Sequence, residues 1–181
     1  MSRLTVWDAE TREEVLRTED PARIAEALRG IGVRFERWEG VEVPDGAGPE
    51  EILAAYRPHL DALMAGMGLG AAGSADVISL TPEHPQKEAL RAKFLQEHVH
   101  TEDEIRFFVR GGGNFVMHVD GKVWDARCEQ GDLISVPANT RHWFDAGTEP
   151  RFIALRVFLD TSGWVPHYTG SDIAERFPVT A

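Results

Sequence analysis

The chain has one cysteine, no long apolar run and many fewer basic than acidic residues, and each shortage removes a class of protein. Cys128 alone cannot close an intramolecular disulfide, build a cysteine-based zinc site or form a CxxC redox pair, and it suits a reducing cytoplasm. The opening MSRLTVWDAE lacks the apolar core of a secretory leader, and no run approaches the roughly 18 apolar residues of a membrane span. A soluble, cytoplasmic chain is expected. Nineteen Lys and Arg against thirty Asp and Glu give a formal charge of −11, which repels a phosphate backbone, so neither nucleic acid nor membrane is an expected partner. Internal repeats and low-complexity segments are also missing. What is present is 43% apolar residues, with nine Phe and five Trp, in 181 residues: enough for one well-filled core.

The first ninety or so residues alternate helical and extended patterns. In DPARIAEALRGIG, Asp20 is a candidate N-cap, Pro21 takes the first helical position, and Ile24, Ala25 and Leu28 share a face. VRFERWEG alternates as a strand exposed on one side. GPEEILAAYRPHLDALMAGMG sets Ile52, Tyr56, Leu60, Leu63, Met64 and Met67 at helical spacing, with Pro58 expected to kink or divide the helix. A further helix is expected through HPQKEALRAKFLQE, opened by Pro85. The segment GLGAAG, Gly68 to Gly73, satisfies G-x-G-x-x-G, but it follows a helix and precedes the strand-like ADVISL. Phosphate binding needs the reverse order, so a connector is expected there.

From about residue 98 the texture becomes short strands separated by turn signals: EIRFFVR, NFVMHV, KVWDARC, DLISVP, HWFDA and RFIALRVFLD. Asp120-Gly121 is a strong hairpin signal, because a type I′ turn requires positive φ at both central residues. The tail after residue 160 reads as loop with at most a short helix.

The segment EHVHTEDEIRFFVRGGG concentrates His98, His100 and Glu104 within seven residues. Residues of like parity share a strand face, so the two imidazoles can point together, and the polar TED can turn the chain to return Glu104 and Arg106 on a neighbouring strand. His142, at the strand start after GDLISVPANTR, completes a set of three imidazoles and one carboxylate. That set suits iron(II), nickel(II), cobalt(II), manganese(II) or zinc(II), and not calcium, which prefers an all-oxygen shell. Four such ligands in an octahedral site leave two positions, enough for a chelating ligand. Arg106 adds positive charge on the Glu104 face, so an anionic substrate is welcome. Glu102 and Asp103 are read as solvated turn residues, and His59, His84, His118 and His167 as structural or surface residues, with His118 facing outward or towards a second layer.

The spacing His98-x-His100, three residues, Glu104, six residues, Gly111, then Gly131, five residues, Pro137 and later His142 matches both motifs of the cupin superfamily. More specifically, DVISLTPEHPQKEALRAKFLQEHVHTEDEIRFFVRGGGNF, GDLISVPANTRHWFD and IALRVF resemble the acireductone dioxygenases of the methionine salvage pathway, and the likeness extends through GWVPHYTGSDI. The resemblance implies a mainly β chain, a cupin-type β-barrel or jelly roll with several peripheral α-helices in the N-terminal half. It implies one domain over 1–181, with helices and flanking strands over 1–96, a barrel core over 97–160 and a tail over 161–181. It implies one iron(II) or nickel(II) per chain on His98, His100, Glu104 and His142. The implied substrates are acireductone, 1,2-dihydroxy-3-keto-5-methylthiopentene, and dioxygen. With iron(II) the implied products are formate and 4-methylthio-2-oxobutanoate; with nickel(II), formate, carbon monoxide and 3-methylthiopropionate. Residue matches make Phe94, Phe144 and Trp164 candidate walls for the methylthio tail and the chelate, with Arg106 and Arg156 as candidates for orienting substrate oxygens and Arg106 as catalytic. A monomer is expected. The competing readings are a cupin sugar isomerase or epimerase, another cupin dioxygenase, and a non-enzymatic ligand-binding barrel, since fold does not fix function.

Overall fold

The structure is a computed structural model and describes residues 1–68, 74–158 and 165–179. Strands β1 (Arg3–Asp8) and β2 (Glu14–Thr18) lead into helix α1 (Pro21–Arg29), then β3 (Arg34–Arg37), α2 (Pro49–Ala55), α3 (Arg57–Gly66), β4 (Ser74–Leu80) and α4 (Lys87–Phe94). The rest is mostly sheet: β5 (His98–Val99), β6 (Glu104–Gly111), β7 (Gly113–Val119), β8 (Lys122–Cys128), β9 (Asp132–Val136), β10 (His142–Asp145), β11 (Phe152–Phe158), β12 (His167–Tyr168) and the short α5 (Ile173–Arg176). Two antiparallel sheets result, ordered β12-β5-β10-β7-β8-β1-β2 and β3-β9-β6-β11-β4. This mainly β, two-sheet architecture with N-terminal helices agrees with the cupin fold expected from the sequence.

Alternation along the strands sorts three apolar clusters. Between the sheets lie Leu4, Val6, Phe115, Met117 and Phe144 from one, with Phe35, Phe108, Ile134, Phe152 and Ala154 from the other. The opposite face of the five-stranded sheet, carrying Ile105, Phe107, Val109, Leu133, Leu155 and Val157, is covered by Ile52, Tyr56, Leu60, Leu63 and Met64 of α2 and α3. On the outer face of the seven-stranded sheet, Val116, Val123 and Trp143 pack beneath Ile173 and Phe177. Burial on both faces accounts for near-continuous apolar runs such as IRFFV. Each fully buried Phe or Leu contributes about 1.5–3 kcal/mol relative to exposure.

Local expectations are met with differences of detail. Asp20 Oδ1 accepts a hydrogen bond from Ala22 N, and Pro21 occupies the first turn of α1. The long apolar segment divides into α2 and α3 at Tyr56, just before Pro58. Helix α4 starts at Lys87 rather than at Pro85, because Pro85 lies in a preceding turn where His84 Nδ1 accepts from Gln86 N. Asp120 and Gly121 have φ of 53° and 69°, as the hairpin joining β7 and β8 requires. The run Gly111–Gly113 is the corner where the chain passes from one sheet to the other. Gly111 has φ +61°, and a Cβ there would sit 1.7 Å from Arg151 O, so no side chain fits. Residues 69–73 of the glycine-rich segment lie outside the described residues. No helix among the described residues is long and apolar enough to cross a membrane.

Candidate metal centre

Three strands converge on one end of the space between the sheets. β10 pairs with β5 so that His142 lies opposite His98, and with β7 so that His142 lies opposite Met117. β6 brings Glu104, Arg106 and Phe108 to the interior on alternate positions, with Glu104 facing Val136 of β9 across the ladder. His98, His100, Glu104, Arg106 and His142 are all buried. The imidazoles of His98, His100 and His142 present ligand atoms within 4.8 Å of one another. Glu104 Oε2 stands 2.8 Å from His142 Nε2 and 3.3 Å from His100 Nε2.

The outward nitrogens decide what the inward ones can do. Nδ1 of His98 faces the Gln96 carbonyl at 2.6 Å, that of His142 faces Thr140 O at 2.8 Å, and that of His100 faces Val165 O at 3.3 Å. A carbonyl only accepts, so each Nδ1 carries the proton, and in the neutral ring Nε2 presents a lone pair. Burial is the main reason that the His98 pKa falls to about 4, with the neighbouring His142 adding to the effect. Burial opposes ionisation of Glu104 most strongly, but the adjacent Arg106 guanidinium outweighs it and holds the carboxyl well below its ordinary range. Imidazole lone pairs and a carboxylate at these separations repel unless a proton or cation lies among them. Ligand atoms at adjacent positions about 2.1 Å from a divalent cation would stand roughly 3.0 Å apart, close to the Glu104–histidine distances. The donor set and its spacing therefore fit a borderline divalent metal.

Loops flanking the cluster are also pinned. Asp103 is not a solvated turn residue: its Oδ1 accepts from Ala138 N at 2.9 Å, while Asn139 N donates to the His100 carbonyl at 2.8 Å. These contacts join the loop before Glu104 to the loop before His142. Helix α4 is fixed over the site by Arg91, whose guanidinium meets both Asp145 oxygens at 3.0 Å.

A cavity of about 100 Å³ is lined by His98, His100, Glu104 and His142 together with Phe94, Phe144, Arg106 and Arg156. The Arg106 guanidinium donates to Glu104 Oε1 at 2.8 Å and lies over the rings of Phe115 and Phe144, at 5.1 and 4.9 Å. Its Nε and Nη1 are buried with no hydrogen-bond partner among the described residues. Arg156, opposite Arg106 in the β6–β11 ladder, is braced by Asp76 at 2.8 and 2.5 Å. Phe94 meets Phe144 edge-on at 6.3 Å. Trp164 falls outside the described residues. Lys93 and Pro166 also line the cavity, and neither was singled out in the sequence. Lys93 adjoins Phe94 on α4, which was its one available signal; Pro166 comes from a distant segment and had none.

A family model, the ARD/ARD' family, matches residues 3–166. The chain belongs to that family. Relatives within it include the acireductone dioxygenase of Acidiphilium cryptum, 64% identical with all of both chains covered, and that of Granulibacter bethesdensis, 60% identical over 98% of this chain and 99% of that one. Among solved structures, the Bacillus anthracis acireductone dioxygenase with a cadmium ion in its active center is 34% identical, with a TM-score of 0.78 over 93% of this chain and 98% of that one. An ARD-family chain with this fold and a buried three-histidine cluster thus has a solved relative that holds a metal.

Proposed function

We propose that this chain is a metal-dependent dioxygenase that cleaves acireductone with dioxygen in methionine salvage. With iron(II) it gives formate and 4-methylthio-2-oxobutanoate; with nickel(II) it gives formate, carbon monoxide and 3-methylthiopropionate. His98, His100, Glu104 and His142 hold the cation. The observation that carries the reading is the meeting of three imidazoles and one carboxylate beside Arg106, whose buried Nε and Nη1 have no partner among the described residues, at a cavity walled in part by Phe94 and Phe144.

When bound, the divalent cation supplies Lewis acidity and a chelating position for an enediolate. The chain's own groups do the rest. Arg106 donates from Nε and Nη1 to substrate oxygens, held in one orientation by Glu104 and by the rings beneath it. Arg156, fixed by Asp76, offers a second cationic group on the same wall. Phe94 and Phe144 take the methylthio tail and exclude water, which strengthens every charged contact inside. The family resemblance adds Trp164 as a further candidate for contact with that tail. No side-chain nucleophile is needed, and the buried Cys128 thiol, pushed up by burial, stays protonated and inert in a reducing cytoplasm.

The test is to strip the metal, reload separate samples with iron(II) or nickel(II), add acireductone anaerobically, admit oxygen and quantify the products. Keto acid from the iron form and carbon monoxide from the nickel form are expected. No product above the metal-free control in either sample would overturn the proposal.

A further inference from the structure

The cationic side chains Arg106, Arg156 and Lys93 all line the cavity, and they differ in burial and in what neutralises them. Arg106 is 4% exposed and donates to Glu104 Oε1 at 2.8 Å. Arg156 is half-buried, and Asp76 meets it at 2.8 and 2.5 Å. Lys93 is exposed, and among the described residues neither a hydrogen bond nor an ion pair engages its ammonium. Each guanidinium thus has a carboxylate beside it, and the unmatched positive charge of the cavity is that of Lys93.

The helix that carries Lys93 is held on two faces. Leu90 and Phe94 pack against the inter-sheet core, and Lys93 shares their side of the helix, since residues three and four apart are neighbours. On another face Lys87 Nζ meets Glu149 Oε1 at 2.8 Å and Arg91 meets Asp145 at 3.0 Å, which ties α4 to the end of β10 and to the loop after it. Two of the three cations of α4 therefore fasten the helix. Lys93 fastens nothing among the described residues, yet it stands at the cavity.

The charge of the whole chain gives that ammonium something to do. A formal charge of −11 repels an approaching anion, and guanidinium groups already matched by carboxylates draw it only at short range. A positive group on the solvent side of the cavity reverses the local field. From Lys93 through Arg156 to Arg106 the cations pass from exposed to half-buried to buried, a graded path towards the imidazole cluster.

We propose that Lys93 is a substrate-recruiting residue: its ammonium captures the anionic enediolate at the solvent side of the cavity and passes it inward to Arg156 and Arg106. This rests on the functional reading given above. A compact charge on a flexible stem suits a contact that forms and releases, whereas a planar guanidinium braced by a carboxylate suits the final pose.

The test is anaerobic calorimetric titration of acireductone into nickel-loaded, full-length protein, with kcat/KM measured alongside. Both are taken at ionic strengths of about 0.01 M and about 1 M, between which the Debye length falls from about 30 Å to about 3 Å. Lys93→Met keeps an unbranched stem without the charge. It should raise Kd and lower kcat/KM about two- to fivefold at the lower ionic strength, the range of an exposed ion pair, and converge on unaltered protein at the higher. Lys93→Glu should weaken binding further, and Lys93→Arg should restore most of the affinity and its salt dependence. Because Lys93 is exposed, all three variants should fold, and elemental analysis checks that each is metal-loaded. If unaltered protein neither binds nor turns over acireductone, the functional reading itself fails. If it does both, while Lys93→Met and Lys93→Glu bind as tightly at about 0.01 M, only the recruiting role is overturned. A loss in Lys93→Met of equal size at both ionic strengths would also overturn it, because the cause would then be packing and not charge.

Discussion

Replacing Arg106 by alanine should separate holding the substrate from holding the metal. The guanidinium commits one N–H to Glu104 Oε1 at 2.8 Å, and its buried Nε and Nη1 have no partner among the described residues. A hydrogen bond to a charged group contributes about 1.5–3 kcal/mol, so loss of even one substrate contact should raise the substrate Kd roughly ten- to 150-fold. Removing the guanidinium also strands the Glu104 carboxylate, and leaving a buried charge unpaired costs about 3–5 kcal/mol. A bound cation offsets that loss. The metal-free variant should therefore melt well below unaltered protein, the metal-loaded variant should melt much closer to it, and metal stoichiometry should not change. Arg106→Lys keeps a charge for Glu104 but cannot reproduce the planar fork, so it should recover metal-free stability while recovering little substrate affinity. Elemental analysis, thermal melts with and without metal, and anaerobic calorimetric titration of substrate into nickel-loaded protein measure these effects. A fall in metal content as deep as that of a ligand variant would make Arg106 a support for the ligands, and an unchanged substrate Kd would remove it from the substrate contacts.

His98→Ala and Glu104→Ala should each lose both bound metal and turnover; full occupancy of either variant by elemental analysis would exclude the altered residue from the ligand set. Asp125 is buried beside Asn114, and burial lifts its pKa from 3.8 to about 6 despite that hydrogen bond. The folded state thus holds this proton more tightly than the unfolded state, and ionisation costs stability progressively as pH rises from about 4 to about 6, on the order of 3 kcal/mol in full. Asp125→Asn should raise the melting temperature of metal-free protein at about pH 8, with a gain that shrinks towards about pH 4.5; an equal gain at both would refute the account. Gly113→Ala would place a Cβ 2.3 Å from Phe144 Cζ, and Phe108, Phe115 and Phe152 surround that ring on its other sides. Overpacking of about 1–3 kcal/mol and displacement of the ring into the cavity should lower the melting temperature and raise KM, and a variant unchanged in both would show that the corner can relax.

Local patterns carried much of the fold. The short apolar runs EIRFFVR and NFVMHV between turn signals, the Asp120-Gly121 turn and the break before Pro58 each depend on a few neighbouring residues, and each is found. The pair β1 and β2 was not singled out in advance: Glu14–Thr18 is exposed along most of its length, and its partner strand β1 is held by β8, more than a hundred residues away. Asp103 shows the same limit. A carboxylate in a polar turn looks solvated until the loop containing Ala138 is known to lie against it.

For the site, the sequence by itself supplied the candidate donor set: His98, His100, Glu104 and His142 offer nitrogen and oxygen donors, and strand parity lets His98 and His100 point together. Tertiary structure alone decided which nitrogen of each ring faces a backbone carbonyl, because the carbonyls of Gln96, Thr140 and Val165 are groups that no residue type announces. It also decided that Glu97 and His118 meet, and that Lys93 and Pro166 share a cavity with Arg156. The physical reason is the range of the interaction: side-chain identity and strand parity act over a few residues, whereas a hydrogen bond across strands or from a distant segment exists only once the chain has closed on itself.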